Sequence, residues 1–286
     1  MSVNEHISGN ALMVQNPSII QPYGDGIPLV LIHDGGGTTY PYYGLKNLER
    51  PVYGIHNPRF YSCRPFSGGI VEMAKIYTQM IELLGISGPF IVGGWSLGGL
   101  IALEITKLLG TYPYGPVAGT IMIDTPCPVA SSVPAAQPII RFHDHCRLET
   151  KLLVHLNMKV AVKMVDKYQP PLHAVDWDYA DDQDCTLLDE RSDVRLIPYV
   201  VLLRARERVQ TFEDDTSTPA NQARVDYFRD FEALGWERAE RQIISKVLPI
   251  PGNHFDIFLE ENIESTSVTL HEACDTIERD IYRSQR

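Results

Sequence analysis

Residues 89–99, PFIVGGWSLGG, decide the fold that this chain is expected to adopt. An apolar run leads into GWSLG at 94–98, which has the pattern GxSxG, and a helix-forming run follows. A serine raised on a tight strand-to-helix turn needs small neighbours, because its backbone is strained and the two elements approach closely. The pattern therefore predicts Ser96 as a nucleophile, with the backbone N–H of Leu97 facing a developing oxyanion. The alternative is an ordinary turn with an inert serine.

Strands and helices alternate on both sides of this turn. The predicted strands are 28–33, 52–55, 89–92, 117–123, 199–203 and 243–248. The predicted helices are 67–84, 97–109, 223–234 and 263–282. Several of the strands are almost wholly apolar, as strands buried on both faces of a parallel sheet are. The order predicts an α/β fold, in which a mostly parallel central sheet has right-handed crossovers and helices on both faces.

The pattern changes between residues 125 and 197. Prolines come first, a helical stretch over 141–168 follows, and an acidic, turn-rich stretch ends the segment. We interpret this segment as an inserted helical lid. The predicted organisation is an N-terminal extension over 1–27 and a single domain over 28–286.

The serine needs a base, and His254 is the candidate. An alkoxide is not available at neutral pH, and folds of this kind carry a histidine after the last strand. His254 follows the rigid run PIPGN and precedes the terminal helix. His271 is the only later histidine, and its helical setting makes it a poor alternative.

Two positions compete for the carboxylate that fixes the imidazole tautomer. Asp124 closes the predicted strand 117–123, at the carboxyl edge of the sheet where sites gather. Glu207 follows the predicted strand 199–203, and Asp214 and Asp215 lie further along the same loop. We favour Asp124 and keep Glu207 as the alternative acid.

The loop HDGGGT at 33–38 is the candidate source of a second oxyanion donor. Gly36 or Gly37 would present that N–H. The loop lacks the GK[ST] ending and the GxGxxG spacing of nucleotide-binding loops, so neither phosphate binding nor a nucleotide cofactor is predicted. An ordinary glycine turn is the alternative. The tyrosines at 40, 42 and 43 beside the loop line an acyl channel or pack in the core.

Composition excludes several classes of function. The chain has 286 residues and a formal net charge of −11, so a general nucleic-acid surface is not expected. No signal peptide and no run of about 18 apolar residues occurs, which predicts a cytoplasmic protein without a membrane span. Five cysteines without CxxC pairing indicate neither a disulfide framework nor a zinc site. His143 and His145 stand at i and i+2 and do not face one another on a helix, so no metal is predicted.

Five motifs carry a resemblance to a known family. They are HDGGGT at 33–38, GWSLGG at 94–99, MIDTP at 122–126, LGW at 234–236 and GNHF at 252–255. In this order they resemble the fungal type of thioesterase domain that releases products from polyketide and nonribosomal peptide synthases, a branch of the α/β-hydrolase superfamily. The resemblance spans residue 28 to the C-terminus.

The resemblance implies a function and a mechanism. It implies Asp124 as the acid, residues 125–197 as a lid over an acyl channel, and no cofactor. An acyl or polyketide chain would pass from a carrier protein or coenzyme A thioester to Ser96 and then to water. The chain begins with its own methionine and shows no carrier domain, so we expect a free-standing enzyme that acts in trans on a carrier domain of a synthase.

Other functions remain open. An acyltransferase, a cyclase or a carboxylesterase would use the same residues, and a non-catalytic accessory protein of a synthase would keep the fold alone. Carrier proteins are usually acidic, as this chain is. A basic patch on the lid, Lys151, Lys159, Lys163 and Lys167, would compensate, or would be a solvated face.

Overall fold

The computed structural model describes residues 11–16, 26–128, 135–142, 146–173, 198–212 and 221–284. Within these ranges, seven strands form one sheet in the order β1-β3-β2-β4-β5-β6-β7. The strands are β1 (Ala11–Gln15), β2 (Leu29–Ile32), β3 (Val52–Ile55), β4 (Phe90–Trp95), β5 (Val117–Ile123), β6 (Val200–Ala205) and β7 (Lys246–Ile250). The α-helices are α1 (Gly69–Glu82), α2 (Leu97–Leu109), α3 (Leu148–Val165) and α4 (Ile263–Ser284).

The parallel strands end at one edge of the sheet. β4 lies at the centre, and its Gly94 pairs in register with Ile32 of β2. On the other side Trp95 pairs with Ile123 of β5, which in turn pairs with Leu203 of β6. The residues that follow β2, β4, β5 and β6 therefore meet at the carboxyl edge of the sheet.

Helices cover both faces of the sheet. Every residue of β2, β4 and β5 is buried. The core on one face includes apolar residues of α1 and α2, and the core on the other face includes Leu270, Ala273 and Ile277 of α4. The predicted α/β fold, with a mostly parallel sheet between two helical layers, is confirmed.

One strand was not predicted. β1 lies within the predicted N-terminal extension and pairs antiparallel with β3 at the edge of the sheet. Its sequence, ALMVQ, has no alternation of apolar and polar residues that would reveal a strand. The apolar side chains of Leu12 and Met13 are exposed to solvent. The side chain of Gln15 holds the strand in place, because Nε2 donates to the Lys46 carbonyl at 2.8 Å and Oε1 accepts the Leu48 N–H at 3.0 Å.

The predicted helix 223–234 is wrong. The segment begins with a short 3₁₀ helix, Arg224–Asp226, and continues in turns. Its backbone bonds run from residue i+3 to residue i, as between Arg229 N–H and the Asp226 carbonyl at 2.9 Å. The buried side chain of Asp226 accepts bonds from the Val209 N–H and from Arg229, which holds the chain in this tight path.

The last strand lies further along than the sequence predicts. It runs from Lys246 to Ile250 instead of 243–248, and Ile243 and Ile244 are buried before it begins. The predicted strand stops at 248, and Pro249 is expected to begin the rigid loop before His254, but the structure includes it in the strand. Among the described strands β7 pairs with β6 alone, and an edge position of this kind tolerates a proline.

Helix α3 covers the glycine loop. It occupies part of the predicted helical stretch 141–168, while residues 129–134 and 174–197 of the predicted lid lie outside the described residues. A Cβ built on Gly36 would lie 3.0 Å from Cγ1 of Val154, which shows how closely the helix and loop approach. Buried Asn157 fixes the helix, accepting from Asn57 Nδ2 at 3.0 Å and donating to the Phe60 carbonyl at 2.9 Å.

Candidate active site

Ser96 stands on a strained turn between β4 and α2. Its backbone has φ 56° and ψ −117°, a conformation that residues with side chains rarely adopt. The Ser96 N–H donates to the Ile123 carbonyl at 2.9 Å, and the Thr125 hydroxyl donates to the Ser96 carbonyl at 3.0 Å. A Cβ on Gly98 would lie 2.4 Å from the Ile32 carbonyl oxygen, so helix and strand are in contact through their backbones.

A line of hydrogen bonds joins Ser96, His254 and Asp124. His254 Nε2 lies 2.9 Å from Ser96 Oγ, and His254 Nδ1 lies 2.8 Å from Asp124 Oδ2. His254 is 1% exposed and Asp124 is fully buried. In the neutral tautomer with a proton on Nδ1, His254 donates to Asp124 and accepts from the serine hydroxyl. This is the geometry that general-base activation of a hydroxyl requires.

The carboxylate of Asp124 is held on both of its oxygens. Oδ1 accepts the Ala205 N–H at 2.8 Å and Arg229 Nη1 at 2.6 Å, while Oδ2 accepts Arg229 Nη2 at 2.7 Å besides His254. Burial by itself would raise the pKa of this carboxyl. The Arg229 guanidinium and the His254 ring outweigh burial and hold the pKa of Asp124 well below its usual range.

Arg229 is a site residue that sequence reasoning missed. Its side chain is 3% exposed, and its Nε donates to Asp226 Oδ1 at 2.9 Å. Burial alone would lower the pKa of Arg229, but Asp124 and Asp226 together raise it above its ordinary value. In the predicted helix this arginine and Asp226 stand three residues apart, as a solvated surface pair does. The local sequence does not distinguish an exposed Asp–Arg pair at this spacing from the buried pair that the structure contains.

Glu207, the alternative acid, lies apart from this line. Its backbone N–H donates to the Gly252 carbonyl at 2.9 Å. It lines a polar cavity of about 300 Å³ together with Arg141, Asn253 and Asp256. The imidazole nitrogen that a carboxylate would hold is bonded to Asp124 instead.

His271, the histidine later in the sequence, lies beside two acidic side chains. His271 lies on α4, with Nδ1 3.5 Å from Asp275 and Nε2 3.9 Å from Glu49. The candidates at 214 and 215 and the histidines at 143 and 145 lie outside the described residues.

The predicted oxyanion donors differ in their surroundings. Leu97 is the first residue of α2, and none of the described residues accepts its N–H. The Gly37 N–H donates to the Asp34 carbonyl at 3.0 Å and so closes a turn within the loop. The Gly36 N–H faces the Asp34 carboxylate. The N–H groups of both glycines therefore act on Asp34 in this structure, and their surroundings do not single out one of them as the second oxyanion donor.

Two buried titratable groups stand side by side in this loop. His33 Nε2 lies 2.7 Å from the Tyr77 hydroxyl, and burial lowers the pKa of His33 to about 4. Burial raises the pKa of Asp34 to about 6, although the N–H groups of Gly36 and Gly37 and the His254 ring act in the opposite direction. Both groups of the loop therefore change their protonation state at acidic pH.

Aromatic rings support the nucleophile turn. Tyr42 packs in the core, where its hydroxyl donates to the Ile32 carbonyl at 2.6 Å and accepts the Trp95 N–H at 3.0 Å. It thereby joins the ends of β2 and β4, while the tyrosines at 40 and 43 are exposed. The Trp95 ring lies 5.8 Å from the His254 ring and 5.2 Å from the Phe258 ring, measured between centroids.

The described part of the chain has neither a cluster of metal ligands nor a helix that could span a membrane. Over the described ranges, no three His, Cys, Asp or Glu side chains are grouped so that they could hold a metal ion. No helix there combines the length and the apolar character needed to cross a membrane. Four of the five cysteines, at 63, 127, 146 and 274, fall within the described residues, and these four carry free thiols.

Comparison with known proteins assigns the family. A family model described as "Thioesterase domain" matches residues 27–139. The protein named thioesterase frbD, from Dothideomycetidae sp. (strain 11243), is 34% identical over 261 residues, which cover 91% of this chain and 93% of the relative. The chain belongs to the thioesterase family.

Two further comparisons relate this thioesterase to a much larger synthetase and to a crystal structure. The nonribosomal peptide synthetase imqB of Aspergillus flavus is 34% identical over 93% of this chain, which spans 8% of that protein. The crystal structure of the NocB thioesterase domain from the nocardicin cluster matches with a TM-score of 0.62 at 23% identity, covering 94% of this thioesterase and 100% of that domain. The likeness confirms the α/β-hydrolase fold.

Proposed function

We propose that this thioesterase hydrolyses a carrier-protein or coenzyme A thioester through an acyl-Ser96 intermediate, in secondary metabolite biosynthesis. The observation that carries the proposal is the line of hydrogen bonds from Ser96 through His254 to Asp124. The names of the relatives support the substrate class, since one is called a thioesterase and another a nonribosomal peptide synthetase.

The proposed reaction has two steps. His254 takes the proton of the Ser96 hydroxyl as its oxygen attacks the acyl carbonyl, and the N–H groups of Leu97 and of Gly36 or Gly37 stabilise the tetrahedral oxyanion. The C–S bond breaks, the thiolate leaves with the proton from His254, and an ester on Ser96 remains. His254 then takes a proton from water as the water oxygen attacks the ester carbonyl. The bond between the acyl carbon and Ser96 Oγ breaks, His254 returns the proton to Oγ, and the acid is released.

Helix α3 offers a surface that fits an acidic carrier domain. Its buried side holds Asn157 and Ala161 against the body of the protein. The opposite side exposes Leu152 and Leu156, with Lys159 and Lys163 exposed on the same face. Apolar contacts framed by lysines would bind a negatively charged helix and would offset the net charge of −11 of the whole chain.

The test is an acyl-transfer assay with acyl thioesters of N-acetylcysteamine, comparing the wild type with Ser96→Ala. We expect thiol release and an acyl adduct on Ser96 by mass spectrometry in the wild type, and neither in the variant. Full turnover by Ser96→Ala would overturn the mechanism. A fluorophosphonate adduct without turnover of any thioester would point to an esterase or transferase, and no adduct on folded protein to an accessory protein.

A further inference from the structure

A buried line of charges continues beyond the proposed acid. Asp226 contacts Arg229, Arg229 holds both oxygens of Asp124, and Asp124 holds His254. The exposed fractions of the side chains of Arg229, Asp226 and Asp124 are 3%, 2% and 0%. A triad needs only the carboxylate to stabilise the imidazolium that forms during the reaction. A guanidinium bonded to the same carboxylate repels that positive charge, so the presence of Arg229 needs an explanation.

We propose that Arg229, balanced by Asp226, is a positioning residue that locks the Asp124 carboxylate and sets how readily His254 takes up a proton. The proposal rests on the acyl-Ser96 mechanism proposed above. Two parallel bonds to one carboxylate fix the plane of that group, which a single hydrogen bond does not. The plane of Asp124 in turn fixes the direction in which His254 presents Nε2 to Ser96.

The charges of Arg229 and Asp226 should have opposite effects on the protonation of His254. Arg229 repels a proton on His254, so removing it favours the imidazolium. Asp226 shields part of that repulsion, so removing its charge disfavours the imidazolium. Two carboxylates act directly on the His254 ring, Asp34 of the glycine loop and Asp124. Arg229 and Asp226 continue the line of charges from Asp124, and Asp256 is the charged residue two positions after His254 on its own loop.

The experiment measures kcat/KM against pH for Arg229→Gln, Arg229→Lys and Asp226→Asn, with rates divided by the fraction of Ser96 that a fluorophosphonate labels. The acidic limb of this profile reports the base in the free enzyme. We expect the limb to move up by about 1 pH unit in Arg229→Gln and down by about half a unit in Asp226→Asn. Arg229→Lys keeps the charge, so its limb stays within about 0.3 units while kcat falls about tenfold through the lost bidentate contact.

Arg50 provides a matched control. It is also a buried arginine held by two carboxylates, Asp275 and Glu278, but it lies between the start of β3 and α4, away from the site. Arg50→Gln should lower stability and leave the acidic limb where it is. If Arg229→Gln does not fold, the downward shift in Asp226→Asn and the steady limb of Arg229→Lys decide the question.

The outcomes separate this inference from the proposed function. Opposite shifts in the two site variants support it. Limbs that coincide with the wild type, or that shift in the same direction, would overturn it and reduce Arg229 to a structural ion pair, while the loss of acyl-enzyme in Ser96→Ala would still stand. Full activity of Ser96→Ala would overturn the mechanism itself.

Discussion

Gly98 shows how closely a single residue packs the Ser96 turn against the sheet. A Cβ at this position would lie 2.4 Å from the Ile32 carbonyl oxygen and 2.6 Å from that of His33. Both are backbone atoms, so Gly98→Ala must push α2 away from β2 and carry the Leu97 N–H with it. We expect kcat for a small thioester to fall by about 10²-fold, the usual effect of losing one oxyanion donor.

The control for this prediction is Gly44→Ala. The nearest atom to a Cβ there is Cγ1 of Ile263 at 3.6 Å, an ordinary contact. Both variants are compared by steady-state kinetics and by urea unfolding. Wild-type rates in Gly98→Ala would contradict the tight packing described for the turn.

His33 and Asp34 make opposite contributions to stability between about pH 4 and pH 6.5. The pKa of His33 is lowered to about 4, so the unfolded chain takes up this proton first and the contribution of His33 is lost as pH falls below 6.5. The pKa of Asp34 is raised to about 6, so the folded chain keeps this proton longer and stability is lost as pH rises towards 6. Each effect amounts to up to about 3 kcal/mol, and in the wild type they largely cancel.

Replacing either His33 or Asp34 should leave the pH dependence of stability that the other residue causes. We expect His33→Gln to become less stable as pH rises from about 4 to 6, and Asp34→Asn to become more stable over the same range. The measurement is the free energy of unfolding in urea at several pH values. The double variant restores a flat profile, and parallel slopes in the two single variants would contradict the assignment.

Helix α3 carries a prediction that separates recognition from chemistry. Lys159 and Lys163 are exposed on the face opposite the body of the protein. Charge reversal at both, Lys159→Glu with Lys163→Glu, should raise KM for an acyl carrier protein about tenfold, because repulsion replaces attraction at the contact. The kcat/KM for an N-acetylcysteamine thioester should stay unchanged. Equal loss on both substrates would argue against a docking surface here.

The sequence predicts the central elements well because their signals are local. β3 and β5 were predicted with their observed ends, and the GxSxG turn was predicted between the right strand and helix. Buried parallel strands read as short apolar runs, and the nucleophile turn has its own glycine pattern. β1 has neither signal, because half of an edge strand faces solvent and its pairing with β3 lies outside the local sequence.

The parts of the site that depend on distant contacts could not be predicted. Asp124 and Glu207 both follow strands at the carboxyl edge, and the sequence alone left both open. The structure distinguishes the two acids, because Asp124 is hydrogen-bonded to His254 and Glu207 is not. Arg229 reaches Asp124 across 105 residues of chain, and no periodic pattern records such a contact.

At the scale of the whole molecule, Arg50 joins the residues just before β3 to the C-terminal helix α4. Its side chain is 2% exposed and binds Asp275 and Glu278 of α4, while Glu278 also accepts the Ile27 N–H at 2.8 Å. Arg50→Met leaves carboxylates unpaired at a half-buried contact and should lower the free energy of unfolding by about 3 kcal/mol. Active-site labelling of the folded fraction should be unchanged, measured beside urea unfolding. A loss of labelling in proportion to stability would contradict the separation of the two regions.

The contact between Trp95 and His254 gives the molecule an optical reporter of its own chemistry. The two rings lie 5.8 Å apart, so a proton on the imidazole places a cation beside an indole. Cations at this range quench indole emission, and the brightness of Trp95 will therefore follow the charge of His254. A fluorescence titration of resting protein then follows the charge of His254 in the absence of any acyl donor, and the same signal in a stopped-flow experiment tests whether His254 takes up a proton during turnover.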